Sequence, residues 1–122
     1  MFKIPFLAST LAGALLSSAA FAHAKLIDSI PANAARVETA PKTLSLSFNE
    51  NVKLAALALT LAGRTIPVTL DRTAPAAKTV VVPVPALAPG QYEVKWTAIS
   101  TDDGHVTKGA FTFNLVGTAS SH

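Results

Sequence analysis

The chain has 122 residues, enough for one domain, and carries 10 Lys and Arg against 7 Asp and Glu, a net charge of +3. None of its residues is Cys, which excludes disulfides, Cys-based zinc sites, iron–sulfur clusters, thiolate nucleophiles and blue-copper cysteines. Half of the residues are apolar, so the chain can bury a core and is not expected to be disordered. The positive charges are few and scattered, and nucleic-acid binding is therefore not expected.

Residues 1–22 have the pattern of a cleaved export signal. Lys3 supplies the positive charge, residues 4–16 are mainly apolar, and Ala20-Phe21-Ala22 is a small-x-small cleavage pattern. The apolar stretch is short, interrupted and not followed by a basic cluster, which favours cleavage over a membrane anchor. We therefore expect an exported, periplasmic domain over residues 23–122 that begins at His23 and does not span a membrane. Cleavage would also remove the only methionine, at position 1.

From residue 24 onward, short apolar runs separated by Pro, Gly, Asn and Asp predict an antiparallel all-β domain. Apolar and polar residues alternate over 44–48, 91–98 and 111–115, which predicts strands with one buried face. Residues 80–84 are rich in valine and end in prolines, so we predict a strand near a sheet edge. A Pro-Gly turn at 88–90 leads into the second alternating run.

The segment 54–61 fits both a strand and a helix, because its leucines satisfy either spacing. We predict a strand, since the run is short and Gly63 closes it before the β-branched stretch 65–69. About seven short strands and no helix result. Two stacked sheets around a core of Leu, Val, Phe and Trp are the economical arrangement.

Two of the three histidines occupy informative positions. His23 would become the N-terminal residue, so that its α-amine and ring Nδ1 could chelate one metal ion. Asp103 and His105 are two residues apart, which in an extended segment places them on one side, roughly 6–7 Å apart along the chain. Gly104 between them permits a tight backbone. This nitrogen-rich set, with no Cys or Met beside it, suits Cu(II).

Each of these residues also has a purely structural interpretation. A histidine in a loop is usually a surface residue, and Asp-Asp-Gly is a common turn sequence. His122 ends a polar tail and is interpreted as solvated. Glu50, at the end of a predicted strand, would ordinarily be a solvated charge.

Six segments together form a combination that is more specific than any one of them. They are residues 23–26 (H-A-K-L), 29–32 (S-I-P-A), 46–50 (L-S-F-N-E), 92–100 (Y-E-V-K-W-T-A-I-S), 103–105 (D-G-H) and 109–113 (G-A-F-T-F). In this combination, which spans nearly the whole mature sequence, the chain resembles the CopC family of periplasmic copper-resistance proteins.

The resemblance implies a seven-stranded Greek-key β-sandwich related to cupredoxins and immunoglobulin domains, and Cu(II) bound at the N-terminal histidine. The implied ligands are His23, through its amine and imidazole, Asp103 and His105. Glu50 stands where some members have a nearby carboxylate and is a further candidate. The implied role is a periplasmic copper carrier or buffer without enzymatic activity, which we expect to be monomeric. The implied partner is an inner-membrane copper transporter of the CopD type.

The chain departs from the family pattern in two places. Members with a Cu(I) site carry a Met-rich loop, which this chain lacks, so the resemblance is to the Cu(II)-only type. Many members have Pro after the histidine of the D-x-H motif, where this chain has Val106.

Three other functions fit the sequence less well. A histidine-brace copper monooxygenase is disfavoured because a carboxylate would occupy a position that oxygen needs, and because the aromatic residues are predicted to face inward. A hydrolase built from Ser100, Asp103 and His105 is weaker, since three residues so close in sequence seldom adopt the required geometry. An exported interaction domain with incidental histidines is the third alternative.

Overall fold

The computed structural model describes residues 24–102 and 104–117. Every regular element in these residues is a strand, which confirms the predicted all-β class. The seven strands are β1 (Leu26–Ile30), β2 (Ala35–Val37), β3 (Thr43–Leu61), β4 (Arg64–Ile66), β5 (Ala77–Pro83), β6 (Gly90–Ser100) and β7 (Val106–Leu115).

Strand β3 is 19 residues long and joins the two predicted strands at 44–48 and 54–61 into one. Its first half pairs with β1 and β5, whereas its second half pairs with β6 and β4. The pairing register shifts between residues 47 and 52 and again between 54 and 56. Such irregularities bend a strand, so β3 passes from one layer to the other and the seven strands fold into two packed layers.

The core lies between the layers and is formed by the inward residues of the alternating strands. The ring of Tyr92 stacks on Phe113 with centroids 5.1 Å apart, and Phe48 meets Trp96 edge-on at 5.2 Å. The alternation predicted for β6 and β7 is confirmed, because Tyr92 and Phe113 are fully buried while the residues between the inward positions are partly or wholly exposed. The hydrophobic burial of these rings is the main force that holds the layers together.

The strand pairing is irregular at two places, at strand β5 and at the end of strand β4. Strand β5 pairs with β3 alone among the described strands, as predicted for an edge strand. The β-branched stretch 65–69 forms strand only as far as Ile66, because Pro67 has no N–H to continue the ladder. Residues 67–76 then run as a loop.

Strand β7 has a partner on both sides only in its second half. It pairs with β6 over residues 106–115, but its parallel pairing with β2 covers residues 113–115. Among the described strands, residues 106–110 therefore pair with β6 alone. This open stretch of β7 faces the beginning of β1 across a groove.

Candidate functional site

The loop between β6 and β7 carries His105 and is closed by backbone hydrogen bonds. The N–H of Ser100 donates to the carbonyl of His105 (3.0 Å), and the N–H of Gly104 donates to the carbonyl of Ser100 (2.9 Å). Gly104 has a φ of 74°, a conformation that glycine adopts without strain. His105 is exposed at the end of this loop, immediately before β7.

Glu50 is tied to the same loop through Ser100. The buried hydroxyl of Ser100 donates to Oε1 of Glu50 (2.8 Å), and the N–H of Asp102 donates to Oγ of Ser100 (3.3 Å). A hydrogen bond to a carboxylate is among the stronger ones in proteins, and a buried hydroxyl without it would lose stability. Glu50 therefore helps to hold the loop that presents His105.

The first described residues are fixed beside Glu50. The N–H of Lys25 donates to Oδ1 of Asn49 (2.7 Å), and the N–H of Asn49 donates to the carbonyl of Lys25 (3.1 Å). Ala24 is only 1% exposed and belongs to the core. The chain thus enters the domain at a defined place, next to the strand segment that carries Glu50.

A groove of about 880 Å³ separates the start of β1 from the open stretch of β7. Ala24, which follows His23 in sequence, and Val106, which follows His105, both line it. We call it the N-terminal groove. Its described lining consists of Ala24, Lys25, Leu26, Asn49, Trp96, Val106, Thr107, Lys108, Gly109 and Ala110.

The predicted site residues fall into two sets. Glu50 and His105 are described, and the Ser100 contacts connect the segments that carry them. His23, Asp103 and the predicted export signal at 1–22 lie outside the described residues. Within residues 24–102 and 104–117, no three His, Cys, Asp or Glu side chains form a group that could hold a metal ion.

Sequence reasoning missed two residues that shape this end of the molecule. Ser100 entered only as the nucleophile of a disfavoured hydrolase, whereas its hydroxyl donates to Glu50. The sequence contained a clue, because Ser100 continues the inward positions of β6 and is a polar residue at a buried place. Asn49 was read as part of a motif, and nothing local predicted its pairing with Lys25.

A second groove, of about 490 Å³, lies under the loop 67–76; its described lining includes residues 52–55, 80–83 and parts of the loop. We call it the loop groove. The Arg72 guanidinium donates to the carbonyl of Ala55 (2.9 Å), and the Asp71 carboxylate accepts from the N–H (2.9 Å) and hydroxyl (2.6 Å) of Thr73. These hydrogen bonds hold the pKa of Asp71 below its usual value.

The CopC domain matches residues 26–116, and the chain belongs to this family. Copper resistance protein C of Xanthomonas campestris pv. juglandis is 34% identical, covering 94% of this chain and 99% of the relative. Protein YobA of Escherichia coli K12 is 34% identical over 83% of this chain and 85% of its own length.

Two solved structures share the fold. CopC from Methylosinus trichosporium OB3b has a TM-score of 0.64 at 25% identity, with 82% of this chain and all of that chain covered. PcoC of Escherichia coli, described as a methionine-rich copper resistance protein, has a TM-score of 0.62 at 28% identity, with 77% and 99% covered. These matches confirm the predicted β-sandwich and connect the chain to copper resistance. The described part of the chain also contains no helix that could cross a membrane.

Proposed function

We propose that the protein is a periplasmic carrier or buffer of Cu(II), which it binds through His23, Asp103 and His105. In this proposal His23 supplies its α-amine and its imidazole after cleavage of residues 1–22. One observation carries the proposal: Ala24 and Val106, the residues bonded to the two histidines, line the same groove. Donors that are 82 positions apart in sequence therefore belong to segments that the fold brings together.

The hydrogen bonds around the groove support this ligand set. Lys25 is bonded to Asn49, Glu50 accepts from Ser100, and Ser100 is bonded to the loop that ends at His105. Oε1 of Glu50 accepts from Ser100, so Glu50 positions the loop, and its carboxylate stays a further candidate ligand. The loop is closed by its own backbone hydrogen bonds, so Val106 can replace the proline of other members without loss of the turn.

The oxidation state follows from the donors that the chain offers. An amine, two imidazoles and a carboxylate are nitrogen and oxygen ligands, which favour Cu(II) over the softer Cu(I). The chain has no Cys, and its one Met is in the segment proposed to be removed. It differs in this respect from the methionine-rich PcoC of Escherichia coli.

The biological setting is part of the same proposal. Export to the periplasm rests on the signal pattern of residues 1–22, and the protein would act there as a monomer. It would exchange copper with an inner-membrane transporter of the CopD type. The family relationship supports this partner.

The proposal is tested by comparing two N-termini. Protein that begins at His23 should bind one Cu(II) per chain, measured by calorimetric titration and by an EPR spectrum with nitrogen coupling. A form with one extra glycine before His23 keeps every side chain but removes the free amine, and its affinity should fall strongly. His122→Ala, in the polar tail, is the matched control and should bind as the unmodified protein does.

Proton competition gives a second measure of the same ligands. The α-amine titrates near pH 8 and must lose its proton to bind copper, as must each imidazole. Copper affinity should therefore fall steadily as the pH is lowered from 8 to 5. Equal affinity in the glycine-extended and native forms would overturn the proposed site.

A further inference from the structure

Two residues that line the N-terminal groove each carry a buried polar atom with no hydrogen-bond partner. Among the described residues, Nε1 of Trp96 and Oγ1 of Thr107 are the buried side-chain nitrogen and oxygen atoms in this state. Both residues line the groove, and the Trp96 side chain is only 5% exposed. A buried donor without an acceptor destabilises the fold, because it has lost its hydrogen bonds to water. Two such atoms in one groove point to a ligand that pairs with them.

The β6–β7 pairing explains how these atoms come together. Trp96 lies opposite Gly109, and Thr107 lies opposite Ala98, so all four residues are on the inner face of the two strands. Gly109 is required by the indole, because a methyl group there would stand 2.4 Å from Cζ2 and 3.1 Å from Nε1 of Trp96. The nitrogen-bearing edge of the indole therefore lies against the open stretch of β7, which forms the wall of the groove.

The chemistry of the lining defines the ligand. The indole N–H can only donate, and the Thr107 hydroxyl can donate as well, so the ligand must accept hydrogen bonds. Lys25 and Lys108 are the charged residues of the described lining, and both are exposed at the groove. Two donors and two ammonium groups together favour an anion whose acceptors lie side by side.

We propose that the N-terminal groove binds a carboxylate, with its oxygens accepting from Nε1 of Trp96 and Oγ1 of Thr107 and its charge balanced by Lys25 and Lys108. The groove is large enough for the carboxylate to belong to a free organic acid or to an Asp or Glu side chain of a protein segment. This site uses none of the proposed copper ligands. Because the groove is also the one beside the proposed copper ligands, acetate binding is measured on the metal-free protein, which separates it from copper binding.

The test uses the fact that Trp96 is the only tryptophan. Its indole gives a single ¹H–¹⁵N NMR signal, which reports directly on Nε1. Acetate is titrated into the purified, metal-free protein at constant pH and ionic strength, with chloride as the balancing anion. The indole signal should shift downfield and saturate, because a neutral N–H that gains a charged acceptor is deshielded.

Three variants locate the binding site. Thr107→Val removes one donor without changing the shape of the side chain, and it should weaken acetate binding about tenfold or more. Lys108→Gln removes one charge and should weaken binding about two- to threefold. Lys78→Gln removes a similar exposed lysine on β5, away from the groove, and should leave the affinity unchanged.

The source of the carboxylate is resolved by a second probe. A short blocked peptide with one glutamate is titrated in the same way as acetate. Tighter binding of the peptide assigns the groove to a protein segment, and equal or weaker binding assigns it to a free acid; both results support the carboxylate site. An indole signal that does not saturate, that responds equally to chloride, or that is unaffected by Thr107→Val overturns the proposal.

Discussion

The two grooves of the molecule differ in what their polar groups do. In the loop groove, Arg72 donates to the carbonyl of Ala55 and the carboxylate of Asp71 is occupied by Thr73. In the N-terminal groove, Trp96 and Thr107 present buried polar atoms that have no partner among the described residues. The first set of contacts closes a loop onto the sheet, whereas the second leaves hydrogen-bonding capacity for a ligand. The N-terminal groove therefore has unpaired polar atoms that a ligand could satisfy, whereas the polar groups of the loop groove are used by the protein itself.

The two grooves are expected to differ most in copper affinity when His105, next to the N-terminal groove, and Arg72, in the loop groove, are each substituted. His105→Ala should lower Cu(II) affinity by more than about 100-fold, since losing even a group that only positions a ligand costs about 10–100-fold. Arg72→Ala should leave copper affinity unchanged, because its guanidinium only anchors the loop 67–76. Competition titration against a chelator of known affinity measures both. Equal losses in the two variants would remove the functional distinction between the grooves.

The packing of the N-terminal groove can be disturbed without touching a proposed ligand. Gly109→Ala should destabilise the fold by about 1–3 kcal/mol, because the added methyl overlaps the Trp96 indole and forces it to move. Ala110→Val adds volume on the exposed face of the same strand and should change stability by less than about 0.5 kcal/mol. Denaturant unfolding gives both values. If Gly109→Ala unfolds like the parent protein, the indole is not held against β7 as described.

Tyr92, at the other end of β6, has a hydroxyl group that does have a hydrogen-bond partner, in contrast to Trp96 and Thr107. Its hydroxyl donates to the carbonyl of Ala88 (2.5 Å), and burial raises its pKa above 10.0. Because the pKa of Tyr92 is raised in the folded state, its neutral hydroxyl stabilises the fold below pH 10. This contribution is lost as the pH rises through the folded-state pKa. Tyr92→Phe should cost about 0.5–1.5 kcal/mol at pH 7.

The difference in unfolding free energy between the parent protein and Tyr92→Phe should then narrow above about pH 10. Because Tyr92 is the only tyrosine, its ionisation can be followed by ultraviolet absorbance in the same samples. A difference that stays constant up to pH 12 would contradict the raised pKa.

The smallest effect is expected in the loop groove. Thr73→Val removes the hydroxyl that donates to Asp71, and the pKa of Asp71 should rise toward its usual value of 3.8. Because the pKa of Asp71 is lowered in the parent protein, its ionised carboxylate stabilises the fold above pH 3.8. This contribution is lost as the pH falls through the folded-state pKa. NMR titration of the Asp71 side chain measures the shift. An unchanged pKa would show that the backbone N–H of Thr73 alone holds the carboxylate.

Most of the strand pattern could be predicted because alternation is a local property. The choice of strand over helix for residues 54–61 is confirmed, since these residues lie in β3. The break predicted between residues 48 and 54 is wrong. The polar run Asn49-Glu50-Asn51 is typical of a turn, yet the strand continues through it where β3 crosses between the layers.

The candidate site was only partly accessible to sequence reasoning. His105 was predicted from the motif around it, and Glu50 because it stands where some members of the family have a nearby carboxylate; both stay predictions. The contact between Glu50 and Ser100 joins residues 50 positions apart, and no local pattern predicts such a pair. The unpaired atoms of Trp96 and Thr107 depend on the register of β6 and β7, which the sequence does not display.

The amino-acid sequence alone determined the all-β class, the edge position of β5 and the residue types suited to copper, because alternation, proline placement and donor chemistry are all written in neighbouring residues. The tertiary structure alone decided that β3 serves both layers, that Ala24 and Val106 line one groove, and that an indole nitrogen is buried there without a partner. These features arise from contacts between distant segments, and their energies depend on packing that no short stretch of sequence specifies.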